Sequence, residues 1–208
     1  MADSTKPDPS AQRTHPPEHF DAAYAGTPPW DIGRPQAAFL ALAEAGALAG
    51  PLLDVGCGTG EHVLMAASRG LAATGVDTSP TAIAIAERKA ADRGLSARFL
   101  VADALELASL NEQFATVLDC GLFHVFGDDE RPRFVDSLRS AMAPGAKYHM
   151  LCFSDSQPGD WGPRRVAEAE IRTSFADGWL VDSIAPATIE ITVTREGARA
   201  WLVTASRA

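Results

Sequence analysis

Three glycines follow a short apolar run in the segment LLDVGCGTGE, which extends from Leu52 to Glu61. Glycine tolerates positive φ angles and, having no Cβ, lets a ligand lie against bare backbone. A dinucleotide-binding motif would have glycine or alanine where Glu61 stands, and a carboxylate beside a pyrophosphate is unfavourable. Asp54, two residues before the first glycine, is placed to meet an ammonium group. The segment therefore predicts a pocket for a cationic nucleoside that carries no phosphate.

Two further acidic residues stand where later apolar runs end. Asp77 ends the second run, where its carboxylate can accept hydrogen bonds from both hydroxyls of a ribose. Asp103 follows the third run and can accept a hydrogen bond from an exocyclic adenine amino group. Each of these residues alone could equally be a helix cap. Three acids at the ends of consecutive runs favour a binding site, because open parallel sheets bind ligands at the carboxyl ends of their strands.

Buried strands alternate with amphipathic helices and must position these groups. Strands are predicted at residues 52–55, 73–76, 97–101, 115–118 and 148–153, and helices from 34 to about 46–48 and at 60–69, 79–93, 105–111, 128–142 and 166–176. Apolar runs without alternation indicate strands covered on both faces, as in a parallel sheet between helices. Two strand-like runs, 179–191 and 200–205, end the chain, and the Glu196-Gly197 pair between them predicts a hairpin turn.

With these residues in these places, the chain resembles the class I S-adenosylmethionine-dependent methyltransferases over about residues 30–206. Asp54 and the three glycines match the family's first motif, Asp77 its ribose-binding acid, and Asp103-Ala104 its adenine-binding acid. The resemblance implies a Rossmann-like α/β fold: a single seven-stranded, mostly parallel sheet in the order 3-2-1-4-5-7-6, with helices on both faces. It also implies S-adenosyl-L-methionine as cofactor. The residues expected to bind the cofactor are Trp30, Gly33, Asp54, Gly56, Cys57, Gly58, Gly60, Asp77, Thr78, Asp103, Ala104 and Cys120.

Two other segments narrow the resemblance. The sequence PWDIG, from Pro29 to Gly33, is followed by Pro35 and is similar to the N-terminal Trp-x-x-Gly segment of small-molecule thiopurine, thiol and halide methyltransferases. The stretch DCGLFHVF, from Asp119 to Phe126, is similar to that of small actinobacterial methyltransferases acting on benzoquinols, thiols or heterocyclic nitrogens. The resemblance thus implies a small aromatic or heterocyclic acceptor.

Methyl transfer from a sulfonium is an in-line displacement, so the protein mainly aligns the acceptor and excludes water. A phenol or a protonated nitrogen would also gain from a base, and His124 is the candidate because it follows the fourth strand between two phenylalanines. A purely structural hydrogen-bonding role for His124 is the alternative. Residues 24–30 and 154–165, rich in glycine, proline and aromatics, are expected to close the acceptor pocket. The predicted acceptor-side residues are Tyr24, Trp30, Phe123, His124, Phe126, Trp161 and Arg164.

The expected activity is transfer of a methyl group to O, N or S of a small aromatic or heterocyclic acceptor. One alternative is a thiol or halide methyltransferase that needs no general base; another is a non-catalytic protein that binds the cofactor and interacts with a partner. The acidic run Asp128-Asp129-Glu130 invites a metal hypothesis, but acids that open a helix are stabilised by its dipole. No metal is therefore predicted.

Composition limits the partners. The chain has 208 residues and a formal net charge of -9, which argues against a nucleic-acid backbone as partner. No apolar run approaches the ~18–20 residues of a membrane span, and three cysteines without metal-site spacing indicate buried free thiols in a reducing compartment. The sequence predicts a mobile tail at 1–18 and one methyltransferase domain at 19–208, with an N-terminal lid at 19–35. A cytoplasmic monomer or homodimer acting on a small molecule is the expectation.

Overall fold

A seven-stranded sheet forms the centre of the molecule in the computed structural model, which describes residues 16–208. Its strands are β1 (Leu52–Val55), β2 (Ala73–Asp77), β3 (Arg98–Val101), β4 (Phe114–Cys120), β5 (Met142–Phe153), β6 (Trp179–Ile191) and β7 (Thr194–Arg207). Their spatial order is β3-β2-β1-β4-β5-β7-β6. The first five strands are parallel, while β7 runs antiparallel to both β5 and β6. The predicted sheet is confirmed.

Six α-helices in residues 16–208 surround the sheet: α1 (Pro17–Ala23), α2 (Ala37–Glu44), α3 (Glu61–Ser68), α4 (Pro80–Asp92), α5 (Glu130–Ala141) and α6 (Glu168–Ser174). Two 3-10 helices, Ala104–Leu110 and Phe123–Val125, follow β3 and β4. Helix α4 begins where the sequence predicts, because the Ser79 hydroxyl accepts a hydrogen bond from Ala82 N–H and Pro80 occupies the first turn. Within the described residues, none of these helices has the length and apolarity needed to cross a bilayer.

The hydrophobic core covers both faces of the sheet. Neighbouring residues of β4, Val117 and Leu118, are fully buried in two different apolar clusters, and the same holds for Leu52 and Leu53 of β1. This arrangement is expected of strands whose side chains alternate between two covered faces. The three cysteines are free thiols, with Cys57 and Cys152 buried and Cys120 half-buried.

The N-terminal segment differs from its prediction. Helix α1 occupies residues that were expected to be an irregular tail and lid, and it begins at Pro17. The predicted mobile tail, residues 1–18, lies outside the described residues apart from its last three. The predicted lid segment, residues 19–35, thus includes most of a short helix.

The C-terminal hairpin turns at Thr192-Val193, because Ile191 pairs with Thr194, so the turn predicted at Glu196-Gly197 is wrong. Gly197 lies within β7 at a shift of register, with φ at 69°. A Cβ there would lie 2.7 Å from the Ile189 carbonyl oxygen. Its turn-like composition therefore marks a β-bulge, which needs the same backbone freedom as a turn.

Candidate active site

A cavity of about 520 Å³ opens at the carboxyl ends of the central parallel strands and is covered by the N-terminal segment. Its volume is in the ~300–1,000 Å³ range of small-molecule sites, and its place is where open α/β sheets bind ligands. The predicted site residues that line it are Tyr24, Trp30, Gly56, Cys57, Gly58, Asp77, Thr78, Asp103, Ala104, Cys120, His124, Phe126 and Trp161.

The glycine turn after β1 forms the floor of this cavity. Gly56 and Gly58 have φ angles of 68° and 51°, a conformation that favours glycine. Gly58 N–H donates to Asp77 Oδ2 at 2.8 Å, which fixes the turn to the end of β2. A Cβ on Gly58 would lie 2.7 Å from the Tyr24 hydroxyl, so only glycine fits beneath the lid.

The two strand-end carboxylates also line the cavity. Asp77 Oδ1 accepts a hydrogen bond from Ser79 N–H at 2.9 Å, and burial raises the pKa of this carboxyl group. Asp103 Oδ1 accepts from Leu105 N–H at 3.0 Å and caps the following 3-10 helix. Capping and cavity lining, which the sequence offered as alternatives, thus occur together at Asp103.

Asp54 lies beneath the cavity wall, where it is fully buried. Neither of its carboxylate oxygens accepts a hydrogen bond from any residue in 16–208. His62 Nδ1 lies 3.6 Å from Asp54 Oδ2, beyond hydrogen-bonding distance. A buried carboxylate whose oxygens accept no hydrogen bond is costly, so this position suits a bound cationic group.

Gly33 and Gly60, predicted to contact the cofactor, stand outside the cavity lining in the described structure. Gly60 has φ at 85°, and a Cβ there would lie 2.7 Å from the Phe99 ring. Its lack of a side chain therefore permits packing of the turn against β3. Gly33 N–H donates to Asp31 Oδ1 at 3.2 Å and so shapes the lid.

The lid is attached to the domain by polar contacts at several points. Asp21 of α1 accepts from the Ser79 hydroxyl at 2.6 Å, and Asp31 accepts from the Thr59 hydroxyl at 3.0 Å. Trp30 Nε1–H donates to the Tyr24 hydroxyl at 3.0 Å. These bonds hold Tyr24 and Trp30 over the glycine turn.

His124 is buried at the acceptor end of the cavity. Its Nδ1 accepts a hydrogen bond from Phe153 N–H at 3.0 Å, so in the neutral ring the proton is on Nε2. Burial, with the nearby charges of Arg131 and Arg165, lowers the pKa of His124 to about 3. The ring is therefore neutral at physiological pH and presents an N–H donor.

Two predicted acceptor-side residues stand outside the cavity. Phe123 is fully buried in the core, with its ring 5.7 Å from Phe175 and Arg131 above its face. Arg164 forms ion pairs with Asp128 and Glu170. Phe123 is therefore a core residue, and Arg164 is held at the start of α6 by its ion pairs.

Several residues that line the cavity were not predicted from the sequence. They are mostly apolar and include Leu122, Val125, Phe153, Ile189, Ile191 and Val193. The last three alternate from the end of β6 into the hairpin turn, a period-2 signal that the sequence contains but that depends on knowing the hairpin register. Glu61, which the sequence suggested only as a residue unfavourable to a bound pyrophosphate, also lines the cavity. Its carboxylate forms ion pairs with Lys89 at 2.9 Å and Arg93 at 2.8 Å.

The charge of the wall fits a cationic nucleoside. Among the described residues the lining includes one arginine, Arg34, which is paired with Glu190. The acidic residues of the lining are Asp31, Glu61, Asp77, Asp103 and Glu130. Together with the unpartnered carboxylate of Asp54, this donor set matches a sulfonium and an ammonium group on an adenosine, and it disfavours a pyrophosphate.

The glycine turn, the strand-end carboxylates and a parallel sheet with an antiparallel last strand define the class I methyltransferase fold and site. Residues 52–145 match the family model described as "Methyltransferase domain". Over 183 residues the chain is 39% identical to the 2-heptyl-1-hydroxyquinolin-4(1H)-one methyltransferase of Mycobacteroides abscessus, a match that covers 86% of this chain and 79% of that protein. The chain therefore belongs to the S-adenosylmethionine-dependent methyltransferases, and S-adenosylmethionine is its cofactor.

Solved structures agree with this assignment. The chain is 40% identical, with a TM-score of 0.83 over 92% of both chains, to a structure from work on the conversion of a disulfide bond into a thioacetal group during echinomycin biosynthesis. The magnesium protoporphyrin IX methyltransferase of Synechocystis with bound S-adenosylmethionine is 22% identical, with a TM-score of 0.65. The match covers 83% of this chain and 77% of the Synechocystis chain, and it shows a shared fold.

Proposed function

We propose that this enzyme transfers a methyl group to an oxygen, nitrogen or sulfur atom of a small aromatic or heterocyclic acceptor, and that no side chain acts as a general base. The observation that carries the proposal is the hydrogen bond from Phe153 N–H to His124 Nδ1, which occupies the lone pair a base would use. The other nitrogen already holds its proton. His124 therefore orients the acceptor as a hydrogen-bond donor.

The proposed cofactor contacts use the chemistry of each group. Asp77 accepts from the ribose hydroxyls, Asp103 accepts from the adenine amino group, and Asp54 faces the ammonium group from below the wall. Trp30, held by Tyr24, covers the bound nucleoside. The remaining contacts are assigned to Gly56, Cys57, Gly58, Thr78, Ala104 and Cys120.

When bound, S-adenosylmethionine supplies a methyl group on a sulfonium, which is already an activated leaving group. The chain's own residues then have to bring the acceptor atom into line and keep water out. Phe126, Phe153 and Trp161 line the cavity around His124 and give a flat ring apolar surfaces to stack on. The Nε2–H of His124 donates to the acceptor atom, or to a ring oxygen beside it, and so fixes its direction.

This arrangement favours acceptors that ionise near neutral pH. The relative from Mycobacteroides abscessus is named for a 1-hydroxyquinolin-4-one, and the similarity to it extends over most of this chain. We extend that class to this enzyme: a hydroxylated nitrogen heterocycle, with aromatic thiols as the second candidate. A donor such as His124 stabilises the anionic form of either group, which removes the need for a base.

The test is a methyl-transfer assay with S-adenosylmethionine and an acceptor panel of 1-hydroxyquinolin-4-one, thiophenol, phenol, hydroquinone and quinoline, read by mass spectrometry of the products. We expect the hydroxyquinolone and thiophenol to react fastest at neutral pH, and phenol slowest. Faster methylation of phenol than of thiophenol would contradict a base-free mechanism. Binding of the cofactor without methylation of any acceptor would favour the non-catalytic alternative.

We place this reaction in a single domain of residues 19–208 with residues 19–35 as its lid, acting in the cytoplasm as a monomer or homodimer. The lid assignment is supported by the bonds from Asp21 and Asp31 to the glycine turn and α4. A net charge of -9 supports a free small molecule, rather than a nucleic acid, as the acceptor. Light scattering of the purified chain, with and without S-adenosylhomocysteine, tests the oligomeric state.

A further inference from the structure

We infer that the acceptor site continues into an apolar groove along β6, and that this groove holds an aliphatic chain attached to the acceptor ring. The inference rests on the proposed function and narrows its substrate class. Three alternate residues, Ile189, Ile191 and Val193, line the cavity. Ile189 and Ile191 are alternate residues of β6 and share one face, and Val193 continues this apolar row in the hairpin turn.

The row begins at the reacting end of the cavity. A Cβ built on Gly121 would lie 3.7 Å from Ile189 Cδ1 and 3.2 Å from His124 Nε2. Ile189 is therefore beside the imidazole that faces the acceptor. At about 3.3 Å per residue, Ile189 and Ile191 are ~7 Å apart along β6, and Val193 lies beyond them in the hairpin turn.

The outer end of the row is open. A second recess of about 390 Å³ shares four lining residues with the main cavity, namely Ile32, Arg34, Ile191 and Val193. A chain that starts at the acceptor ring can thus pass Ile191 and Val193 towards this recess.

Exposed apolar side chains are concentrated at the main cavity. Of five large hydrophobic residues exposed in the described structure, three line the cavity: Trp30 (43%), Trp161 (40%) and Val193 (65%). Apolar surface gathered at one opening is typical of a ligand site. Two of the polar groups nearby already have partners: Glu190 is paired with Arg34, and Thr192 N–H donates to the Pro29 carbonyl at 2.9 Å. The apolar row therefore offers an aliphatic chain favourable contacts.

The experiment measures kcat/KM for 1-hydroxyquinolin-4-ones that carry at carbon 2 a hydrogen or a methyl, propyl, pentyl, heptyl or nonyl group. We expect a rise of up to about fourfold per methylene while the chain is being buried, and a plateau once it passes Val193. Val193→Asp should lower kcat/KM for heptyl and nonyl acceptors about tenfold more than for the unsubstituted ring. Because Val193 is exposed, this change does not threaten the fold.

Leu180→Asp is the matched control, because Leu180 lies on β6, the strand that leads to the turn with Val193, is 62% exposed and stands outside the cavity lining. An equal loss in both variants would overturn the inference, as would wild-type rates that are independent of chain length. Neither result would affect the proposed function if the unsubstituted ring is methylated. If no ring is methylated, the proposed function fails. Calorimetry of the heptyl and unsubstituted compounds, with S-adenosylhomocysteine present, then tests whether the groove binds the aliphatic chain. Tighter binding of the heptyl compound supports the inference, and equal binding overturns it.

Discussion

His124 offers the sharpest test of the proposed mechanism, because its two ring nitrogens have separable tasks. Nδ1 accepts from Phe153 N–H within the protein, whereas Nε2–H is free to donate to the acceptor. In His124→Asn, the side-chain oxygen takes the place of Nδ1 and no donor reaches the acceptor. In His124→Gln, an amide N–H takes the place of Nε2–H and Phe153 N–H loses its partner.

The expected effects of the two variants are opposite. A hydrogen bond to a charged group contributes about 1.5–3 kcal/mol, so His124→Asn should lower kcat/KM about 10- to 150-fold with little change in the free energy of unfolding. His124→Gln should keep more activity but lower the free energy of unfolding by about 1–3 kcal/mol, because it leaves a buried backbone N–H unpaired. Steady-state kinetics and chemical denaturation of both proteins measure these quantities.

The choice of acceptor separates donation from base catalysis. A donor acts on an ionised thiophenol and on phenol alike, so His124→Asn should slow both by similar factors. A general base, with a contribution of ~10²–10⁴-fold, would matter for phenol and hardly at all for thiophenol. A loss confined to phenol, or a kcat/KM profile with a histidine inflection that the variant removes, would refute the donor assignment. A pKa near 3 predicts the absence of such an inflection around neutrality.

Three further predictions concern the surroundings of the site. Asp77→Ala should weaken S-adenosylmethionine binding at least tenfold in calorimetry, because two hydrogen bonds to a charged carboxylate are lost, and unchanged affinity would contradict the ribose assignment. Glu61→Gln should lower the free energy of unfolding by about 1–3 kcal/mol in denaturant titrations, because Lys89 and Arg93 lose a buried carboxylate partner. Burial raises the pKa of Asp119 to about 7, so the stability this group contributes in its protonated form is lost as pH rises from 3.8 to about 7. Asp119→Asn should remove that part of the pH dependence, on the order of 4 kcal/mol at most. If the free energy of unfolding, measured by chemical denaturation, depends on pH in the variant as it does in the wild type, the prediction is refuted.

The central strands and the cofactor end of the site could be predicted because their signals are local. β1 was predicted within its observed bounds, since Leu52–Val55 is a short apolar run buried on both faces. β5 begins six residues before its prediction, because Pro144-Gly145 gives its first part the composition of a turn. Those residues lie at a shift of register against β4, where Gly145 has φ at 77°. Turn-like composition inside a strand marked a bulge here, as it did at Gly197.

The acceptor end could not be predicted in the same way, because its side chains are oriented by a buried carboxylate that the local pattern does not reveal. Asp119 Oδ1 accepts from Leu122 N–H at 2.8 Å, and Oδ2 accepts from Phe123 N–H at 3.1 Å and from the Tyr148 hydroxyl at 2.6 Å. These bonds tighten the chain after β4 into the 3-10 helix Phe123–Val125. In that helix Phe123 enters the core and His124 lines the cavity, although the two residues are adjacent in sequence. Which aromatic residues meet the acceptor is therefore decided by Asp119, a residue that itself lies below the site.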